Sequence, residues 1–206
     1  MKYFEIADWF EQPGRWHLGP PRNRSGIELD PRLFTEGDEY RGETVYPRIA
    51  GAKAKDYSSE TPFVIPMQSG SKPLDFTLAS FHMPVITERV GEHLESCCGD
   101  AIQLIPAEIL GIDRRFEILN VLRVVDAVDK RRSEISWRPK EDAFGNQIQT
   151  FAGIGRLVIN EKNIAGARIF RLKHWELPLI VDEVAKDLIE SLRTTGIRFG
   201  NISTSE

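Results

Sequence analysis

The chain has little thiol chemistry: its only cysteines, Cys97 and Cys98, are neighbours. A bridge between adjacent residues closes a strained ring far from preferred disulfide geometry, so the pair reads as two reduced thiols at a helix end. No apolar run approaches the ~20 residues of a membrane helix, and Met1 to Asp8 lacks the basic-then-apolar pattern of a secretory signal. The expectation is a cytosolic protein. The four histidines, His17, His82, His93 and His174, include no pair at metal-ligand spacing, and there is no Cys-x-x-Cys. Gly153-Ile154-Gly155 precedes a predicted strand instead of following one and lacks a third glycine, so it is no dinucleotide fingerprint. Phosphate-loop and nucleophile-elbow patterns are also missing. These absences lead to three expectations: no catalytic residues, no cofactor and no metal. A net charge of −4 argues against tracking a phosphate backbone, which calls for a basic face.

What is present is ordinary globular material. Hydrophobic residues at 41% supply enough apolar surface for a sizeable core. The chain also matches itself once. Leu74–Leu94 aligns without gaps onto Arg168–Leu188 at an offset of 94, pairing Phe76 with Phe170, Pro84 with Pro178, Ile86 with Ile180 and Val90 with Val184. Each copy reads as strand, turn, helix, strand. In the first, Leu74–Phe81 alternates as a strand does, Pro84 marks the turn, and Ile86, Val90, Leu94 and Cys97 recur at helical spacing. Gly99 is placed for a left-handed cap, and Ile102–Pro106 closes the unit. In the second, Ile169–Trp175 is the strand, Ile180, Val184, Leu188 and Leu192 form the stripe, Gly196 stops the helix, and Ile197–Ile202 closes.

The remainder divides in three. Residues 1–72 are loop-rich, punctuated by Pro and Gly, with brief strands expected at Tyr3–Ile6, Thr44–Ile49 and Pro62–Pro66. Phe116–Val128 is β-branched on both alternation faces, which suits a strand covered on both sides. Asp129–Asn146 is charged and punctuated and reads as a long exposed excursion. The fold class expected is α+β: a mixed or mostly antiparallel sheet with the two repeat-related helices packed on it, preceded by the 1–72 region and continuous through 73–206.

Candidate sites are few. Asp75, Glu88, Glu108, Asp113, Glu117, Asp126 and Asp129 have no spacing that demands a catalytic pair; solvated or capping carboxylates are the default. Lys130-Arg131-Arg132 is too short and too closely balanced by acids for a nucleic-acid footprint. Trp137, inside the charged excursion, suits an interface, where Trp, Tyr and Arg concentrate. The partner-binding residues expected are Glu134, Trp137, Glu141 and Asp142.

Several segments resemble one family. The run Phe116-Glu117-Ile118-Leu119-Asn120-Val121-Leu122, with Val124-Val125-Asp126, Asp129 and Ser133, is similar to the central segment of the Imm11 family of bacterial immunity proteins. So are Leu157-Val158-Ile159 through Arg168-Ile169-Phe170-Arg171-Leu172, and Pro178-Leu179-Ile180-Val181 with Thr195-Gly196-Ile197-Arg198-Phe199. The resemblance spans about 74–201. Val181 stands where the family's small polar helix cap is expected. The resemblance implies a protein that binds and silences a toxin, of a kind that is often a nuclease acting in the cytosol. Its partner would be that toxin, with no direct nucleic-acid or membrane contact. Two rivals come from other classes: a small enzyme with a site assembled from dispersed Asp, Glu and His, and an adaptor subunit for a partner that is no toxin.

Overall fold

In the computed structural model, which describes residues 1–9, 11–23, 25–29, 62–141, 147–173 and 175–205, the strand and turn expected at 74–84 form one hairpin. In chain order the strands are β1 (Tyr3–Asp8), β2 (His17–Leu18), β3 (Phe63–Ile65), β4 (Met67–Ser69), β5 (Phe76–Ala79), β6 (Met83–Thr87), β7 (Ile102–Ile109), β8 (Phe116–Val121), β9 (Val124–Val125), β10 (Ile135–Glu141), β11 (Gln147–Ile154), β12 (Val158–Asn160), β13 (Ile169–Leu172), β14 (Trp175–Asp182) and β15 (Ile197–Ser205). The helices are α1 (Glu88–Cys98) and α2 (Glu183–Ser191). The expected strand at Thr44–Ile49 lies outside the described residues.

The class is α+β, but the strands form several sheets and not one. A five-stranded sheet runs β3-β7-β8-β6-β5 and a six-stranded sheet runs β12-β15-β1-β14-β13-β9. β2 with β4, and β10 with β11, form separate ribbons. Most pairings are antiparallel; β3 with β7, β12 with β15 and β9 with β13 are parallel. β1 lies between β14 and β15 in the six-stranded sheet.

Three apolar clusters hold these layers. One takes residues from both sheets and both helices: Phe4 and Ile6 of β1, Val90 and Leu94 of α1, Leu119 and Val121 of β8, Val181 of β14, Ala185 and Ile189 of α2. The helices touch each other, so this helical layer joins the two sheets. The far face of the five-stranded sheet is closed by Trp16 and Leu18 over Val85, Ile105, Phe116 and Ile118. The far face of the six-stranded sheet gathers Tyr3, Ile159, Phe170, Leu172 and Ile180. Alternate residues of β8 therefore enter different clusters, as its two-faced β-branched composition anticipates. Each large side chain so buried contributes roughly 1.5–3 kcal/mol of transfer free energy.

Both prolines read as turns sit inside strands. Pro84 pairs with Leu78 across the β5–β6 hairpin. Its missing donor faces the β8 side, one residue before the β6–β8 ladder begins at Val85, so no ladder bond is lost. Pro178 lies in β14, where the β13–β14 register shifts. The turn between β5 and β6 is instead made by residues 80–82, with His82 exposed at φ +59°.

The offset-94 pairing holds in the hairpins, where Phe76 faces Ile86 and Phe170 faces Ile180, and slips in the helices. Val90 is 1% exposed, whereas its match Val184 is 46% exposed. The buried residues of α2 are Ala185 and Ile189, one position further on. The α2 cap is likewise one residue past Val181: the Asp182 carboxylate accepts from the Ala185 amide at 2.8 Å. Gly99 ends α1 at φ +55°, and Cys97 and Cys98 are free thiols, partly buried. Burial, reinforced by Cys97, pushes the Cys98 thiol up to about 12, which makes it a poor nucleophile at neutral pH.

Candidate functional site: a two-stranded ribbon

The segment read as an exposed excursion is largely ordered as an antiparallel ribbon. β10 pairs with β11 from Ile135–Ile154 to Glu141–Gln147. Its first strand does not show the usual alternation because none of its described side chains is buried: Trp137, Arg138 and Pro139 are exposed, as is Glu134 just before it. A register shift between Ser136 and Trp137 marks a bulge, a device that re-aims a side chain. Trp137, opposite Phe151 in the ladder, is 46% exposed. Glu134 lies at the ribbon's base, where its Oε1 stands 3.5 Å from Arg156 Nε. Both side chains are exposed, so the pair contributes little. Glu141 ends β10, and Asp142 lies outside the described residues.

The ribbon's foot is built around Asp129. Its carboxylate accepts from Ser205 Oγ at 2.8 Å, Arg132 Nη1 at 3.0 Å, and the amides of Arg131 and Arg132 at 3.0 and 3.2 Å. Those bonds, led by Ser205, hold the carboxyl down at about 2. The Lys130-Arg131-Arg132 triplet thus closes a turn on an acid. Ser133 clamps β12 from the same turn, its Oγ donating to the Val158 carbonyl and accepting from the Val158 amide.

Other polar groups serve the scaffold. Burial alone would raise the Asp75 carboxyl, but the amide and hydroxyl of Thr195, with Arg89 and Arg114 beside them, hold it below the usual range. That cluster ties β5 to the turn after α2. Asp8, 1% exposed, bonds Arg15 at 2.8 Å and accepts from the Leu78 amide at 2.7 Å; burial dominates and raises its carboxyl. Neither Asp8 nor Arg15 stands out in the sequence, because a buried pair seven residues apart in a loop-rich stretch carries no pattern.

Glu117, on β8 beneath α1, has the most displaced carboxyl. Burial first, then Glu88, Glu95 and Glu92, raise it to about 7. Its Oε2 has no hydrogen-bond partner among the described residues and occupies the space that a side chain on Gly91 would need. Two cavities lie elsewhere. One of about 430 Å³ is lined by Phe4, Lys186, Glu190, Ile197 and Phe199 among others, and one of about 330 Å³ by Glu5, Ala7, Arg198, Phe199 and Gly200. The displaced carboxyl and the cavities, which a dispersed enzyme site would combine, are thus in different places. Among the described residues no group of three or more His, Cys, Asp or Glu side chains is placed to hold a metal. No helix among them is long and apolar enough to cross a membrane.

A family model described as the immunity protein family Imm11 covers residues 3–204. No curated protein matches the chain.

Proposed function

The chain belongs to the Imm11 immunity protein family, and from that premise we propose that it neutralises a cognate bacterial toxin by stoichiometric protein–protein contact, without turnover. The observation that carries this reading is the extent of the match, 3–204 of 206 residues. The toxin is a nuclease acting in the cytosol, and immunity is exerted in the same compartment. The net charge of −4 supports this choice, because a complementary field speeds capture of a basic enzyme. The contact surface is the β10–β11 ribbon, with Trp137 as its anchor and Glu134, Glu141 and Asp142 supplying acidic contacts. An exposed aromatic side chain beside a bulge suits an interface anchor: the ring fills a pocket while the surrounding charges orient the approach.

The test is co-expression of the chain with the toxin encoded beside it. Rescue of growth, with recovery of a complex of the two, is the expected result. Unrelieved toxicity with no complex contradicts the reading.

A further inference from the structure

A bare backbone edge is a pairing template, and folded proteins usually cover it. The main sheets do so at their outer strands. On β3, Val64 exchanges both backbone bonds with Arg22, at 2.7 and 2.9 Å. On β5, the Phe76 amide donates to the Thr195 carbonyl and the Leu78 amide to Asp8. On β12, the Val158 carbonyl accepts from Asp129, the Asn160 amide donates to Ala127, and the Val158 amide reaches Ser133. β9 is two residues long.

β15 is different. β1 covers one side from Ile197 to Ile202, but β12 covers the other only from Ser203 to Ser205. The Gly196 carbonyl accepts from Trp9 on the β1 side. By antiparallel alternation the even-numbered residues that follow face β1, and Ile197, Phe199 and Asn201 turn their backbone groups outward. Those groups have no backbone partner among the described residues. Gly200, in the middle of the stretch, has nothing within 4 Å of where a Cβ would stand, which lets another backbone come close.

The two cavities flank this same edge on opposite faces of the sheet. The one of about 430 Å³ lies between β15 and α2; Phe4, Ile197 and Phe199 are apolar lining, and Lys186 and Arg193 add positive charge. The one of about 330 Å³ lies on the other face, beside Arg198, Glu5 and Gly200. An added strand sends successive side chains to alternate faces, so one side chain enters each cavity. Lys186 is already paired with Asp187 and Glu190. Arg198 is balanced by the Glu5 carboxylate beside the second cavity. Arg193 forms no ion pair among the described residues, which leaves one unanswered positive charge beside the first cavity.

We propose that residues 197–202 of β15 are a docking edge for an extended segment of a partner protein, which adds as a further strand and presents apolar and acidic side chains to the flanking cavities. This surface is distinct from the β10–β11 ribbon and does not depend on the toxin reading.

The test is selection of random linear peptides displayed on phage against the full chain, followed by synthesis of the peptides recovered. Selected peptides are expected to mix apolar and acidic residues. On binding, the amides of Phe199 and Asn201 are expected to slow in hydrogen exchange by about tenfold or more, while those of Arg198 and Gly200, already paired with β1, change little. Asn201→Pro removes one outward donor without touching the β1 ladder and is expected to weaken binding at least about tenfold, whereas Asn201→Ala stays within about twofold. If Asn201→Pro does not fold, exchange at Phe199 and Asn201 in the unsubstituted chain decides. Recovery of no peptide, protection elsewhere, or equal binding by Asn201→Pro overturns the proposal. So does concentration-dependent dimerisation that Asn201→Pro abolishes, which would give the edge to a second copy.

Discussion

The segments Asp75–Ile109 and Arg168–Ser205 run through the same elements, hairpin, helix and strand, and end in opposite environments. Their hairpins join their helices alike: the Thr87 amide donates to the Asp75 carbonyl, and the Asp182 amide to the Arg168 carbonyl, both at 2.9 Å. The closing strands then part. β7 is enclosed between β3 and β8, while β15 is mostly exposed and, along its first six residues, paired on one side only, by β1. Element order therefore sets how each segment folds, and the neighbours assigned to the last strand decide whether it stabilises the core or offers an edge.

The sharpest break in the comparison lies in the helices. Leu94→Ala should cost about 3 kcal/mol, because it opens a cavity in the cluster that joins both sheets. Val184→Ala, on an exposed site, should change stability by less than about 0.5 kcal/mol. Urea unfolding of both variants checks this, and equal losses would restore the offset-94 equivalence. The ribbon stands outside both segments, and there the readout is binding. Trp137→Ala should weaken affinity for the toxin by about 2 kcal/mol with the Tm unchanged; calorimetric titration and a thermal melt separate these. A fall in Tm with affinity intact would make Trp137 a packing residue.

The two helix starts give a smaller contrast. Asp182→Ala removes a bonded cap and should cost about 1–2 kcal/mol. Thr87 is buried, with an Oγ1 that has no partner among the described residues, so Thr87→Val should be neutral or stabilising by up to about 1 kcal/mol in the same assay. The smallest effect concerns what lies beneath α1, which packs its Val90 and Leu94 into the shared apolar cluster but sets Gly91 directly over the Glu117 carboxyl. A carboxyl raised to about 7 favours its neutral form in the fold. Its contribution is complete below the ordinary glutamate range and lost as pH rises through about 7. Glu117→Gln should therefore match the parent near pH 4 and exceed its stability near pH 8. The gain is about 1 kcal/mol once the shift is discounted for solvent reaching the group. A gain independent of pH would refute the assignment.

The helices and β8 were legible because their signals are local. Gly99 marks the stop of α1, and the run from Phe116 to Val121 carries apolar residues on both faces. Gly196 does not stop α2, which ends at Ser191 with Arg193 at φ +53° and leaves Gly196 to lead into β15. The hairpins are hard to read because Pro84 and Pro178 look like turns; Pro84 stands just outside the β6–β8 ladder, and Pro178 lies where the β13–β14 register shifts. The placement of β1 between β14 and β15 depends on residues more than 170 positions away, which periodicity does not encode. The sequence marks the ribbon as exposed and charged but not its strand pairing, since an exposed strand shows no alternation to read. The stripe through Val184 falls one residue early because an exposed valine looks apolar enough to pack; the Asp182 cap sets the phase that buries Ala185 and Ile189.

The central claim is neutralisation by contact alone. Its most direct test is titration of the purified chain into a fixed concentration of the purified adjacent toxin, well above the dissociation constant, with residual toxin activity measured at each ratio. The account predicts a linear loss that ends at a fixed stoichiometric ratio and does not deepen with incubation time. Progressive inactivation of excess toxin by a small fraction of the chain would contradict it.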